Sequence, residues 1–289
     1  MKRTVIVLVL ALSLFVMPAY PAHADAPTNK GLLISPLRQY VSLNAGTQKS
    51  GTFTVANLTD KSIDVSLLVK QFSVSDYSYN YKFSDTINNW VSLGVTQTTL
   101  KPYQSQSIPY QIAVPPGSAG GGLYYTLFAS SNVTDKGVAS TIQATTLLYV
   151  TVNGNLIRTS TLVSSSIPRF VFSNHINYTV NVKNTGNTHY FANFSGQLHG
   201  LFVRPAQTGN SHLLLPSTIR KITGSIATPP LPGIYEATYG YKTDADTSVY
   251  ESRLIIFIPP WSVAFVLAAA LFGSVYLKRK KPTPKTEEN

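Results

Sequence analysis

The residues with the clearest chemical potential are aromatic. Tyr77, Tyr79, Tyr81 and Phe83 alternate with Ser78, Asn80 and Lys82, and Trp90 follows shortly after. A strand through this run would put all four rings on one face. Such a face can stack on sugar rings or anchor an interface, and it can equally pack inside a sandwich. Asp76 and Asp85 flank the run. A glycosidase needs two carboxylates facing each other across a cleft, whereas residues at the ends of a hairpin are solvated. The histidines His175, His189, His199 and His212 show no i, i+2 or i, i+4 pairing, and there is no cysteine to help hold zinc. Asp244 and Asp246 lack the bidentate glutamate of a calcium loop. Gly120-Gly121-Gly122 is not followed by Lys-Ser/Thr, so it reads as a turn and not a phosphate loop. The sequence therefore offers no catalytic residue, metal site or cofactor. The expectation is a non-enzymatic protein that binds through a surface, with Tyr77, Tyr79, Tyr81 and Trp90 as the binding residues.

Composition narrows the partner. The formal charge is +11, but seven of the 23 basic residues and two of the 12 acidic ones lie at the two ends, leaving 16 against ten between them. That mild bias suits an anionic cell wall and does not make a nucleic-acid footprint. The absence of cysteine means that the cores alone hold the fold, and it tilts the reading toward a bacterial surface.

The two ends read as targeting signals. Lys2 and Arg3 precede an apolar stretch, and Ala22-His23-Ala24 is a cleavage pattern, so residues 1–24 are read as a signal peptide. Trp261 to Leu277 carries no charge and is followed by Lys278, Arg279, Lys280 and Lys281. The expectation is a transmembrane helix over 259–277, a cytoplasmic basic tail over 278–289 and a single-pass protein with its N-terminal domains extracellular.

Between the ends, the elements are strands. Ile63, Val65, Leu67 and Val69 alternate with polar positions, as do Ile108, Tyr110, Ile112 and Val114, and Ile142 to Val152. Leu32 to Leu43 reads as an opening strand broken at Pro36. Asn132 to Ser140 reads as a long loop. The plan then recurs: a strand runs into Asn57-Leu58-Thr59-Asp60 in the first half and into Asn184-Thr185-Gly186-Asn187 in the second. Strand, Pro-Gly turn and Gly-apolar-Tyr also occur twice. The fold class is all-β, as two tandem immunoglobulin-like β-sandwiches over 31–152 and 153–258. Sequons begin at Asn57, Asn132, Asn177 and Asn193.

Several pieces of the first half occur together: Pro36 before Asn44-Ala45-Gly46, Phe53-x-Val55-x-Asn57-x-Thr59-Asp60, Trp90 in Asn-Trp-Val-x-Leu, Leu100-Lys101-Pro102, and Tyr110 to Pro115 before Gly122-Leu123-Tyr124-Tyr125. In this order they resemble the peptidoglycan-binding domain of the WxL-interacting proteins, surface proteins of Gram-positive bacteria. The resemblance covers roughly Gly31 to Ser131. It implies a membrane-anchored surface protein that binds cell-wall polymer (peptidoglycan) and/or another surface protein. The alternative is a structural, adhesive or chaperone-like surface module with protein partners only.

Overall fold

The computed structural model describes residues 31–85, 89–135, 138–200, 203, 208–245 and 247–279. Residues 1–24, read as a signal peptide, and the tail from Lys280 onward lie outside the described residues. The described residues from Leu32 onward form one compact unit.

The first half contains β1 (Leu32–Ser35), β2 (Arg38–Leu43), β3 (Gln48–Asn57), β4 (Ile63–Val74), β5 (Tyr81–Ser84), β6 (Val91–Leu93), β7 (Gln97–Leu100), β8 (Ser105–Ala113), β9 (Gly121–Asp135) and β10 (Val138–Val152). They form two sheets, ordered β1-β3-β8-β6 and β2-β10-β9-β4-β5, with β7 also paired to β4. Pro36 separates β1 from β2 and so lets one opening segment serve both sheets. β1 runs antiparallel to β3, and β2 runs parallel to β10. This is the immunoglobulin-like order, with two sheets facing each other over one core. Phe53, Val55, Val65, Leu67, Leu100, Ile108, Ile112, Leu127, Leu148 and Val150 fill that core. The alternation seen in the sequence aims these side chains inward.

The second half repeats the order. Its strands are β11 (Ser160–Ser166), β12 (Phe170–Val171), β13 (His175–Asn184), β14 (Tyr190–His199), β15 (Thr208–Leu214), β16 (Ile219–Ala227), β17 (Gly233–Thr243) and β18 (Ser248–Phe257). They pair as β11-β13-β16 and β12-β18-β17-β14-β15. β12 runs parallel to the closing strand β18, as β2 does to β10. Ile176, Val180, Val182, Phe194, Tyr239, Tyr241 and Ile255 fill a separate core.

Two local devices recur. Asn57, fully buried at the end of β3, donates its amide to the carbonyls of Lys61, Leu100 and Lys101, while its oxygen accepts from Thr59 N–H. Asn184, fully buried at the end of β13, donates to Thr188 and Leu214 carbonyls and accepts from Gly186 N–H. Each asparagine thus ties a strand end to its own turn four residues on and to the opposite side of the sandwich. With its side chain buried and its amide in use, Asn57 cannot carry a glycan in the folded chain. The other three sequon asparagines are exposed.

The second device is a glycine under a tyrosine. Gly51 on β3 faces Tyr110 on β8. At the matching place in the second sandwich, Tyr178 is on β13 and Gly224 on β16. The pair is the same with its members exchanged between strands.

After β18, α1 (Pro260–Arg279) is the one helix among the described residues. No helix among them is long and apolar enough to cross a membrane, so the expected single-pass placement, with outer domains and an inner tail, is corrected. A crossing takes about 20 consecutive predominantly apolar residues, and the uncharged stretch Trp261 to Leu277 has 17.

Candidate functional site

The aromatic run is not one strand. Tyr77 and Tyr79 have positive φ, 60° and 56°, and only Tyr81 to Ser84 is extended. Large side chains take this conformation when outside contacts over-determine it, and here the second sandwich supplies those contacts. Tyr77 N–H donates to Ile219 O at 2.7 Å, and Ile219 N–H donates to Asp76 Oδ1 at 2.7 Å. The Tyr79 hydroxyl donates to Leu213 O at 3.1 Å and accepts from Leu215 N–H at 2.6 Å. The Arg220 guanidinium lies 4.2 Å from the centre of the Tyr79 ring. Burial raises the Tyr79 pKa, so the phenol stays protonated and can donate. The turn from Ser75 to Asn80 therefore clamps the edges of β15 and β16.

The four expected binding residues are thus dispersed. Tyr77 and Tyr79 belong to this clamp. Tyr81 packs edge-on against Phe72, 5.5 Å between ring centres, and stacks on Phe83. Trp90 packs against the first core. They do not share one aromatic platform. Asp76 is the clamp acceptor described above, and Asp85 lies 3.4 Å from Lys70, so the two flanking carboxylates have separate tasks.

A third apolar cluster joins the sandwiches: Phe72, Val74, Leu147 and Tyr149 from the first, Leu213 and Leu215 from the second. His189 enters this cluster with its ring centre 5.5 Å from both Tyr124 and Tyr149 and 6.0 Å from Tyr40. The Gly120-Gly121-Gly122 turn lies against the same joint. Gly122 N–H donates to Asn187 O, and the Asn187 amide donates to Gly120 O. A Cβ on Gly121 would sit 3.1 Å from Asn187 O, which accounts for small residues there.

Burial, with Arg158 second, lowers the His189 pKa from 6.5 to about 4. Between these values the unfolded chain binds the extra proton and the folded chain does not. Stability therefore falls as pH drops from about 6.5 toward about 4. The expected loss is on the order of 2 kcal/mol. Urea midpoints measured across that window should show it, and His189→Phe should flatten that part of the dependence.

The remaining feature is an edge. Leu147 N–H donates to Leu37 O, and β2 covers β10 only from Leu147 onward. Toward the hairpin tip, β10 pairs with β9 alone. The segment expected to be a loop, Asn132 to Ser140, is instead the end of this hairpin, with strand up to Asp135 and from Val138. Backbone groups alternate sides along a strand. Ala139, Thr141, Gln143 and Thr145 therefore turn their N–H and C=O to the same side as Leu147, where no strand among the described residues meets them. The stretch 138–146 carries no charge, proline or glycine. Sheet edges are ordinarily blunted by such residues or by cover. Ile142 and Ala144 face the first core from this stretch. Sequence reasoning missed this edge because the strand's neighbours are set by distant residues. The β-branched Val133, Thr134, Val138 and Thr141 were the available signal.

No family model matches the chain, and no curated protein matches it. Among solved structures, it is similar to the class 5 fimbriae chaperone CfaA, at 11% identity and a TM-score of 0.42, over 79% of this chain and 100% of that one. It is similar to the CupB2 chaperone of Pseudomonas aeruginosa, at 11% identity and a TM-score of 0.37, over 76% and 99%. It is also similar to the CsuC-CsuE chaperone-tip adhesion subunit complex of Acinetobacter baumannii, at 13% identity and a TM-score of 0.38, over 66% and 89%. Fold and site rest on this chain's own strand pairing, which makes it an all-β chain of two immunoglobulin-like sandwiches.

Proposed function

We propose that this chain is a non-enzymatic protein-binding module that takes an extended strand of a partner polypeptide onto the outer edge of β10. One observation carries the reading: from Val138 to Thr146 the edge is uncharged, regular and uncovered among the described residues. Main-chain hydrogen bonds to Ala139, Thr141, Gln143 and Thr145 would supply affinity. Alternate side chains of the added strand would supply selectivity. The clamp and the aromatic joint hold the second sandwich against the same sheet, so the edge sits on a braced scaffold.

This reading is the surface or assembly module with protein partners. The cell-wall-polymer reading needs an aromatic platform; Tyr79 is held in the clamp and Trp90 packs against the first core, while Tyr77 and Tyr81 keep exposed side chains. Kinship with the WxL-interacting proteins remains a proposal for Gly31 to Ser131, and neighbouring genes for WxL-domain proteins would support it.

The test compares the whole chain with Gln143→Pro, which removes an outward N–H and leaves the pairing to β9 intact. The chain should retain defined polypeptides that Gln143→Pro loses at least tenfold, and purified peptidoglycan should retain neither. Equal retention of polypeptides by both, or retention by peptidoglycan, would overturn the reading.

A further inference from the structure

The two sandwiches treat their closing strands differently. In the second, β12 pairs with β18 only at Ile256 and Phe257, and the stretch of β18 before them carries Glu251 and Arg253. Charges of this kind guard an edge against a further strand. In the first, β2 covers β10 from Leu147 onward, and Ala139 to Thr146 holds no charged residue. One edge is guarded and its counterpart is not.

An uncharged edge can pair with a copy of itself without setting like charges opposite each other. The register of such a pair is narrow. Leu147 N–H points to β2, so Ala139, Thr141, Gln143 and Thr145 turn their N–H and C=O to that same, outer side. Two antiparallel copies must therefore set odd-numbered residues against odd-numbered ones. β2 limits the reach of the copy. Arg38 stands opposite Leu147, which places Leu37 beside Thr146 and closes that position. Centring the pair on Ile142 would drive Val138 of the second copy into the place of Leu37. Centring it on Thr141 sets that Val138 opposite Ala144 and clears Leu37.

In this register Thr141 lies opposite Thr141 of the second copy, and Ala139 lies opposite Gln143 of the second copy. Both are hydrogen-bonded pairs, so every outward N–H and C=O from Ala139 to Gln143 finds a partner. Between them, Ser140 lies opposite Ile142. Threonine against threonine is a favourable cross-strand pair. The side chains of Ala139, Thr141 and Gln143 are exposed, so nothing in either sandwich has to move to admit the copy.

We propose that the outer edge of β10 is an interface with a second copy of this chain, in which two β10 strands pair antiparallel across a two-fold axis at Thr141 and cover each other. This rests on the open edge that carries the reading above and deepens it. The second copy guards the edge that the sequence leaves unguarded, and a partner strand must displace it.

The chain has no cysteine, so one introduced thiol reports the register. Residues opposite each other in a hydrogen-bonded pair have Cα atoms about 5.5 Å apart, within the span of a disulfide. Thr141→Cys in the whole chain should therefore oxidise to a covalent dimer. Ala139→Cys and Gln143→Cys each lie four residues along the strand from their own copy, roughly 13 Å. Neither should crosslink alone, and a mixture of the two should. Sedimentation of the unaltered chain should show a monomer–dimer equilibrium. Thr141→Lys keeps every backbone donor but opposes two cations at the axis, and should weaken that equilibrium at least tenfold. Mixing it with Thr141→Glu should restore the dimer. A monomer at every concentration, a dimer that Thr141→Lys leaves intact, equal crosslinking from 139, 141 and 143, or no recovery in the mixture would overturn the proposal. Gln143→Pro reports on strand addition separately. Polypeptide retention by a chain that stays monomeric overturns self-pairing and leaves that reading standing. Covalent dimers from Thr141→Cys with no polypeptide retained uphold self-pairing and overturn that reading.

Discussion

Asn57→Ala is expected to destabilise the first sandwich by about 3 kcal/mol or more, and Asn184→Ala the second by a similar amount. A buried polar group left without its partner costs about 1–3 kcal/mol. Removing the Asn57 amide strands the carbonyls of Lys61, Leu100 and Lys101 and frees Thr59 N–H. Removing Asn184 strands those of Thr188 and Leu214 and frees Gly186 N–H. Asn57→Asp separates this mechanism from simple loss of volume. The carboxylate keeps the shape and the acceptor but faces two or more carbonyls without a donor. It should therefore cost at least as much as alanine near neutral pH. Urea denaturation followed by tyrosine and tryptophan fluorescence reads both effects. A loss under about 1 kcal/mol for the alanine variants would show that these amides do not lock the strand ends.

The second large effect concerns the exchanged glycine and tyrosine. A Cβ on Gly224 would lie 2.3 Å from the Tyr178 ring, and one on Gly51 would lie 2.3 Å from the Tyr110 hydroxyl. Gly51→Ala or Gly224→Ala should each cost about 1–3 kcal/mol by overpacking. Gly224→Tyr alone puts two rings in one slot and should cost more. Adding Tyr178→Gly to it rebuilds the arrangement that Gly51 and Tyr110 already use, with the tyrosine on the later strand. The double variant should recover at least half of the single variant's loss, which corresponds to a coupling of about 2 kcal/mol in a double-mutant cycle. Additive losses would argue against equivalence of the two sandwiches at this position.

Much of the fold could be read from local pattern because strand faces alternate with period two. Ile63 to Val69 and Ile108 to Val114 show it directly, and the recurring Asn-x-Thr and Asn-Thr-Gly turns marked the repeat. The aromatic run misled for a physical reason. Its spacing is that of a strand, but the bonds of Tyr77 and Tyr79 to Ile219, Leu213 and Leu215 bend it into a turn, and residues more than 130 positions away do not show in local pattern. The β10 edge was hidden likewise, since a strand's sequence does not tell where its neighbour stops. The C-terminal stretch misleads because absence of charge from Trp261 to Leu277 marks an apolar run without fixing that it is long enough to cross a bilayer.

Strand addition at β10 is tested most directly by photocrosslinking from single positions along that edge in cells that make the whole chain. A benzophenone amino acid placed in turn at residues 139 to 145 should give discrete polypeptide adducts, and Thr141→Pro, which removes an outward N–H, should abolish them. The same polypeptide should be captured from successive positions in one register, as an added strand requires. Adducts that persist undiminished in Thr141→Pro, or capture from every position without register, would contradict the account.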